Sequence, residues 1–169
     1  MATIAKRPVK IAFTLHGGPP LSRTYPEAAS QTFKKGEAVY LDGSGHVAEY
    51  TASIDDGTQR FLGFAAQDGH NDTTAATSDC AVDIPSGVVY EGNVTSNGSD
   101  QVTAITQVGT LYPMYQDTSN SLIMVDIADT GAQGDWVRVI GLSPRDAVGD
   151  TNGRVLFTIV PAALQVSGT

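Results

Sequence analysis

The side chains in this sequence that could do acid–base, nucleophilic or metal chemistry are few and scattered. Three histidines stand in unlike contexts: His16 before two glycines, His46 after a glycine-rich turn, His70 inside an acidic loop. A hydrolytic triad needs a nucleophile on a sharp turn and a base oriented by a carboxylate. No Gly-x-Ser-x-Gly occurs, and Gly43-Ser44-Gly45 reads as a hairpin tip. The single cysteine, Cys80, excludes an internal disulfide and a cysteine-rich zinc site. It opens an apolar run and reads as a small buried group, not a nucleophile. The best metal spacing is Asp68-Gly69-His70-Asn71-Asp72, where alternate Asp, His and Asp could set three ligands on one side of a loop. The same residues are ordinary turn formers, and the reading without a metal is preferred. Asp55-Asp56-Gly57 and the stretch 126–135 are further acidic loops, and neither ends in the glutamate of a calcium loop. No glycine-rich phosphate loop with a following lysine is present. A sugar-binding platform would need Tyr112, Tyr115 or Trp136 on one exposed face, but Trp136 opens an apolar strand and reads as packing. The expectation is a protein with no catalytic residues, no metal and no cofactor.

The elements around these residues read as β. Lysines stop after Lys35 and glutamates number only four, so the straight-chain charged residues that favour helices are scarce. Val, Ile and Thr are abundant and suit a pleated surface. Glu37–Leu41 and His46–Ala52 flank Asp42-Gly43-Ser44-Gly45 as a hairpin. Residues 60–66 form a third strand, whose Gly63 marks a bulge or close packing. Cys80–Ile84 and Val88–Thr95 flank Pro85-Ser86-Gly87, and Asn97-Gly98 is a strong turn before a strand at Gln101–Thr106. Thr110–Tyr115, Ser121–Asp126, residues 135–142 and Arg154–Val160 complete the set. Single helical turns are conceivable at Pro26–Gln31 and at Ser143–Asp146. Turn signals every ~8–12 residues indicate a sandwich or barrel. Gly36–Tyr40 and Gly109–Tyr112 resemble one another, which shared hairpin chemistry explains better than duplication.

The 169 residues suit one compact domain. Formal charge is -8, which argues against a nucleic-acid partner. No apolar run approaches the ~20 residues of a membrane span, and Ile11–Leu15 is too short for a signal-peptide core. The sequence therefore reads as made in, and not exported from, a cytosol, and the sequons at Asn71, Asn93 and Asn97 read as chance. The charge is unevenly spread. Residues 1–35 carry six cations against one glutamate, a formal +5; residues 36–169 carry four cations against seventeen carboxylates, or -13. We read residues 1–35 as an extended basic N-terminal arm and 36–169 as a single acidic β domain. In the arm, Val9, Ile11, Phe13 and Leu15 alternate at strand spacing, among Lys6, Arg7, Lys10 and Arg23. That pattern could add to the sheet edge of another protein or subunit. Its charge suits an acidic surface, including a neighbouring copy of the chain.

From Gly36 onward the sequence resembles the capsid decoration (cement) proteins of tailed bacteriophages. The similarity rests on Lys35-Gly36-Glu37-Ala38-Val39-Tyr40-Leu41-Asp42-Gly43 with Gly45-His46-Val47, on Phe61-Leu62-Gly63-Phe64-Ala65-Ala66, and on the closing β-run with its proline at residues 154–165. It covers about half of the chain, and residues 126–150 look like an elaboration of it. The resemblance implies a β-sandwich or β-tulip-like barrel and a homotrimer seated at three-fold or quasi-three-fold sites of an expanded icosahedral head. It implies the major capsid protein as partner and the virion surface as location. No catalytic residue is carried over. The competing reading is a virion adhesion or carbohydrate-binding module, on a head fibre or tail.

Overall fold

The computed structural model describes residues 1–50, 61–117, 120–128 and 136–164. The Asp55-Asp56-Gly57 loop, most of the 126–135 stretch and the residues at 118–119, 135 and 165 lie outside the described residues. The strands are β1 (Lys10–Thr14), β2 (Leu21–Pro26), β3 (Ala38–Leu41), β4 (Val47–Glu49), β5 (Gly63–Ala65), β6 (Asp79–Ile84), β7 (Val88–Thr95), β8 (Leu111–Tyr112), β9 (Met114–Asp117), β10 (Leu122–Asp126), β11 (Val137–Leu142) and β12 (Arg154–Ile159). Among the described residues, helix is confined to two 3₁₀ turns, Ile105–Gln107 and Pro161–Ala163. The chain is all-β.

The first sheet has the order β2-β6-β5-β3-β4. Its two outer strands are drawn together where Glu27, just after β2, bridges Val47 of β4, and Ala28 N donates to Val47 O at 2.9 Å. Inside lie Phe33, Val39, Val47, Leu62, Ala65, Cys80, Val82 and Ile84. The second sheet runs β8-β11-β12-β7-β10-β9. β8 and β9 are one strand broken at Pro113, which has no N–H for a ladder. Its first half pairs with β11 and its second with β10, so the sheet curls round almost to closure. β7 is central and wholly buried. One edge takes β12; the other is shared, with β1 against Val88–Glu91 and β10 running parallel at Val94–Thr95.

The sheets meet through aromatic side chains. Phe61 and Phe64 from around β5 touch Trp136 and Tyr90 of the second sheet, at ring centroid separations of 6.0 and 4.9 Å. Tyr50 packs edge-on against Trp136 at 5.3 Å. This explains Gly63. A Cβ there would sit 2.3 Å from the Asp83 carbonyl oxygen, so close strand packing, not a bulge, requires the glycine. At the Asn97-Gly98 turn both residues have positive φ, +47° and +83°, the type I′ geometry that Asn-Gly favours.

Three local expectations are corrected. Pro26–Gln31 forms no helical turn: Pro26 ends β2, and Glu27 is needed for the bridge to Val47. Ser143–Asp146 is a non-helical turn, with Asp146 N bonded to Ser143 O. Gln101–Thr106 is not a strand. Val102 makes an isolated bridge to Thr151 before the 3₁₀ turn begins at Ile105. β2 was not anticipated. Its residues are mostly exposed, so the apolar alternation that reveals a strand is missing.

Candidate functional site

The strand spacing of the arm is realised in β1, whose neighbour is the chain's own β7. Lys10 lies opposite Glu91, Ile11 opposite Tyr90, Phe13 opposite Val89 and Thr14 opposite Val88. A register shift between Ile11 and Phe13 leaves Ala12 as a bulge and breaks the alternation. Val9 is therefore buried and Ile11 half-buried, while Phe13 and Leu15 stay 48% and 59% exposed. Val9 packs on Gly92, where an added Cβ would lie 3.1 Å from it. Polar contacts hold the preceding residues. Ala2 N donates to Asp150 Oδ1 at 2.7 Å, Ile4 N to Thr151 O at 2.8 Å and Arg7 N to Asn93 Oδ1 at 2.9 Å. Lys6 Nζ donates to Gly98 O at 2.9 Å and pairs with Asp100 at 3.3 Å. Arg23 is exposed on β2, which pairs with β6.

Lys10 leads to the densest charge cluster. Glu91, on β7, is only 4% exposed. Lys10 Nζ lies 2.9 Å from its Oε2, and Arg145 Nη1 approaches the same oxygen at 3.5 Å. Ser143 Oγ donates to Oε1 at 2.6 Å, and Arg154 Nη1 stands 3.6 Å from that oxygen. Arg154 is itself clamped by Asp146, with Nε donating to Oδ2 at 2.8 Å. Burial pushes the Glu91 carboxyl upward, but the Ser143 and Lys10 hydrogen bonds and the surrounding cations outweigh it, and the group sits below its ordinary range. A groove of about 310 Å³ opens over this cluster, between β1 and the 143–146 turn, floored by Ala12, Phe13 and Leu156. A smaller cavity of about 190 Å³ adjoins it at Arg7, Lys10 and Arg154.

Asp68, His70 and Asp72 are not gathered into one three-ligand site. Asp68 Oδ1 accepts from Lys35 N at 2.9 Å. His70 turns to the buried Glu27, which accepts from its backbone N at 2.8 Å and faces its Nδ1 at 2.9 Å. No group of three or more metal-ligating side chains is gathered among the described residues. The hydrogen bond to Glu27 raises the His70 pKa above the ordinary imidazole value. Cys80 is buried inside the first sheet, and burial pushes its thiol up to about 12. Tyr112 and Trp136 are buried and Tyr115 is half-buried, so these three make no solvent-facing aromatic face.

Sequence reasoning missed Glu91, Arg145, Arg154, Asp146 and Glu27. One signal was available for Glu91: it is a lone carboxylate within an apolar β-run, and such a residue must be paired if buried. Nothing in the sequence places Arg145 beside it. No protein-family model matches the chain, and no curated protein sequence matches it significantly.

Proposed function

We propose that this chain is a structural virion protein that decorates the outside of an icosahedral phage head, as a homotrimer that bridges capsid subunits and resists internal DNA pressure. The observation that carries this reading is the surface built by the arm. β1, Leu15 just after it and β2 leave Phe13, Leu15 and Leu21 more than 40% exposed, and Lys10 and Arg23 are exposed on the same two strands. Exposed apolar side chains together with exposed charged ones are what a docking surface offers. The hairpin resemblance around Gly36–Val47 supports the same reading, and these residues fold as β3, its turn and β4. Several weak contacts made by one trimer would multiply into firm attachment. Attachment only to the mature lattice would stabilise that lattice by mass action.

The test is copy number. Purified particles from the source are compared by densitometry for this protein and the major capsid protein. A ratio approaching one copy per capsid subunit is expected. A few copies per particle, or none, would overturn the reading in favour of a fibre, tail or free binding module.

A further inference from the structure

We propose that the groove over Glu91 binds an acidic segment of a partner protein, seating one apolar side chain against Phe13 and Leu156 with flanking carboxylates between Arg7, Lys10 and Arg145. Charge points to this first. Arg7, Lys10, Arg145 and Arg154 gather here against Glu91 and Asp146, a local surplus of two positive charges in a chain of net charge -8. The surplus is accessible. Arg145 is 61% and Lys10 46% exposed along their side chains, and the Arg7 guanidinium has no partner among the described residues. Glu91 cannot absorb it, because one buried carboxylate already faces three cations and a hydroxyl donor.

The apolar floor then selects a protein segment over a small inorganic anion. Ala12, Phe13, Pro144 and Leu156 line the same groove as Lys10 and Arg145. At about 310 Å³ the space is at the small end of ligand sites, suited to one anchoring side chain with charges on either side. The cluster is also held in place for binding. Arg154 is fixed by Asp146, and Ser143 and Lys10 by Glu91, so only Arg7 and Arg145 need ordering when a partner arrives.

The experiment uses the full chain and a fluorescein-labelled peptide, Gly-Asp-Leu-Glu-Phe-Gly, with Gly-Asn-Leu-Gln-Phe-Gly as its neutral control, followed by anisotropy. Saturable binding of the acidic peptide is expected at about 20 mM salt, weakening steeply towards about 300 mM. The double variant Arg7→Ala/Arg145→Ala removes two exposed side chains and leaves Lys10 and Arg154 on Glu91; it should bind roughly tenfold more weakly. Lys34→Ala, at a cation that pairs with Asp68 and lines neither the groove nor the pockets beside it, should bind like the parent. No saturable binding at low salt overturns the proposal, as does equal binding of the neutral peptide or of the double variant. Salt-sensitive self-association that the double variant abolishes, with no peptide binding, overturns it in favour of a second copy of this chain. Peptide binding is read independently of virion copy number, so this proposal and the capsid reading can fail separately.

Discussion

A carboxylate taken out of water needs opposite charge within a few ångströms, and Glu91 is where this molecule concentrates that requirement. Glu91→Gln leaves Lys10, Arg145 and Arg154 facing a neutral amide, and we expect a loss of about 2–4 kcal/mol at neutral pH. Because the folded Glu91 pKa lies below its ordinary value, its contribution is present above the unfolded carboxyl pKa of about 4.3 and disappears as pH falls through the folded value. Urea unfolding of parent and variant should thus differ at pH 7 and converge in strong acid. His70 has the opposite sign. Its folded pKa is raised, so its contribution is full below about pH 6.5 and is lost as pH rises through the folded value. The melting temperature gap between the parent and His70→Gln should be wider near pH 5.5 than near pH 8.5. These residues also show why the site was hard to read. Asp68 and His70 are two residues apart yet serve different partners, whereas Glu91, Ser143 and Arg154 are remote in sequence and meet. Spacing along a loop carries little information about where a β-chain's side chains converge.

At the level of elements, legibility followed apolar alternation and turn chemistry. β7 was read with its observed bounds, because Val88–Thr95 lies between a Pro-Ser-Gly turn and an Asn-Gly turn. β12 was read to within one residue. β2 escaped because Ser22, Arg23 and Thr24 are exposed on a strand that, among the described strands, is paired only with β6. The kink that divides β8 from β9 was spanned by one expected strand, since Pro113 alone does not reveal that its two flanks pair with different neighbours. Gly63 was singled out as a bulge or a point of close packing; the second holds, and its test is direct. Gly63→Ala forces a methyl against the Asp83 backbone carbonyl of the neighbouring strand, which cannot swing aside as a side chain can. We expect a loss of about 3 kcal/mol or more, read as a lower urea midpoint with an unchanged slope.

For the molecule as a whole, the first 26 residues do two jobs. They present the exposed Phe13, Leu15 and Leu21, and they also supply β1, β2 and the buried Val9. Removing residues 2–14 would strip a strand from β7 and leave Glu91 without Lys10. We expect the truncated protein to melt roughly 10 °C lower, as measured by calorimetry. A melting temperature equal to the parent's would mean that the pairing with β7 contributes no stability. Loss of particle attachment by such a truncation would not by itself identify a contact surface. Substitutions at exposed positions, such as Arg23→Ala or Leu15→Ser, separate attachment from folding.

The curling of the second sheet bears on how this protein behaves at high concentration. β8 and β9, being one kinked strand, use up the edges of β11 and β10, and Glu27 ties β2 to β4 in the first sheet. Among the described strands, those left with one neighbour along most of their length include β1 and β2. An open edge is where one molecule can template another into a growing fibre. These two edges carry their own deterrents: the Ala12 bulge in β1, Pro19-Pro20 between the strands, Pro26 at the end of β2, and the charges of Lys10 and Arg23. Replacing those prolines or charges would open both edges to pairing with another copy.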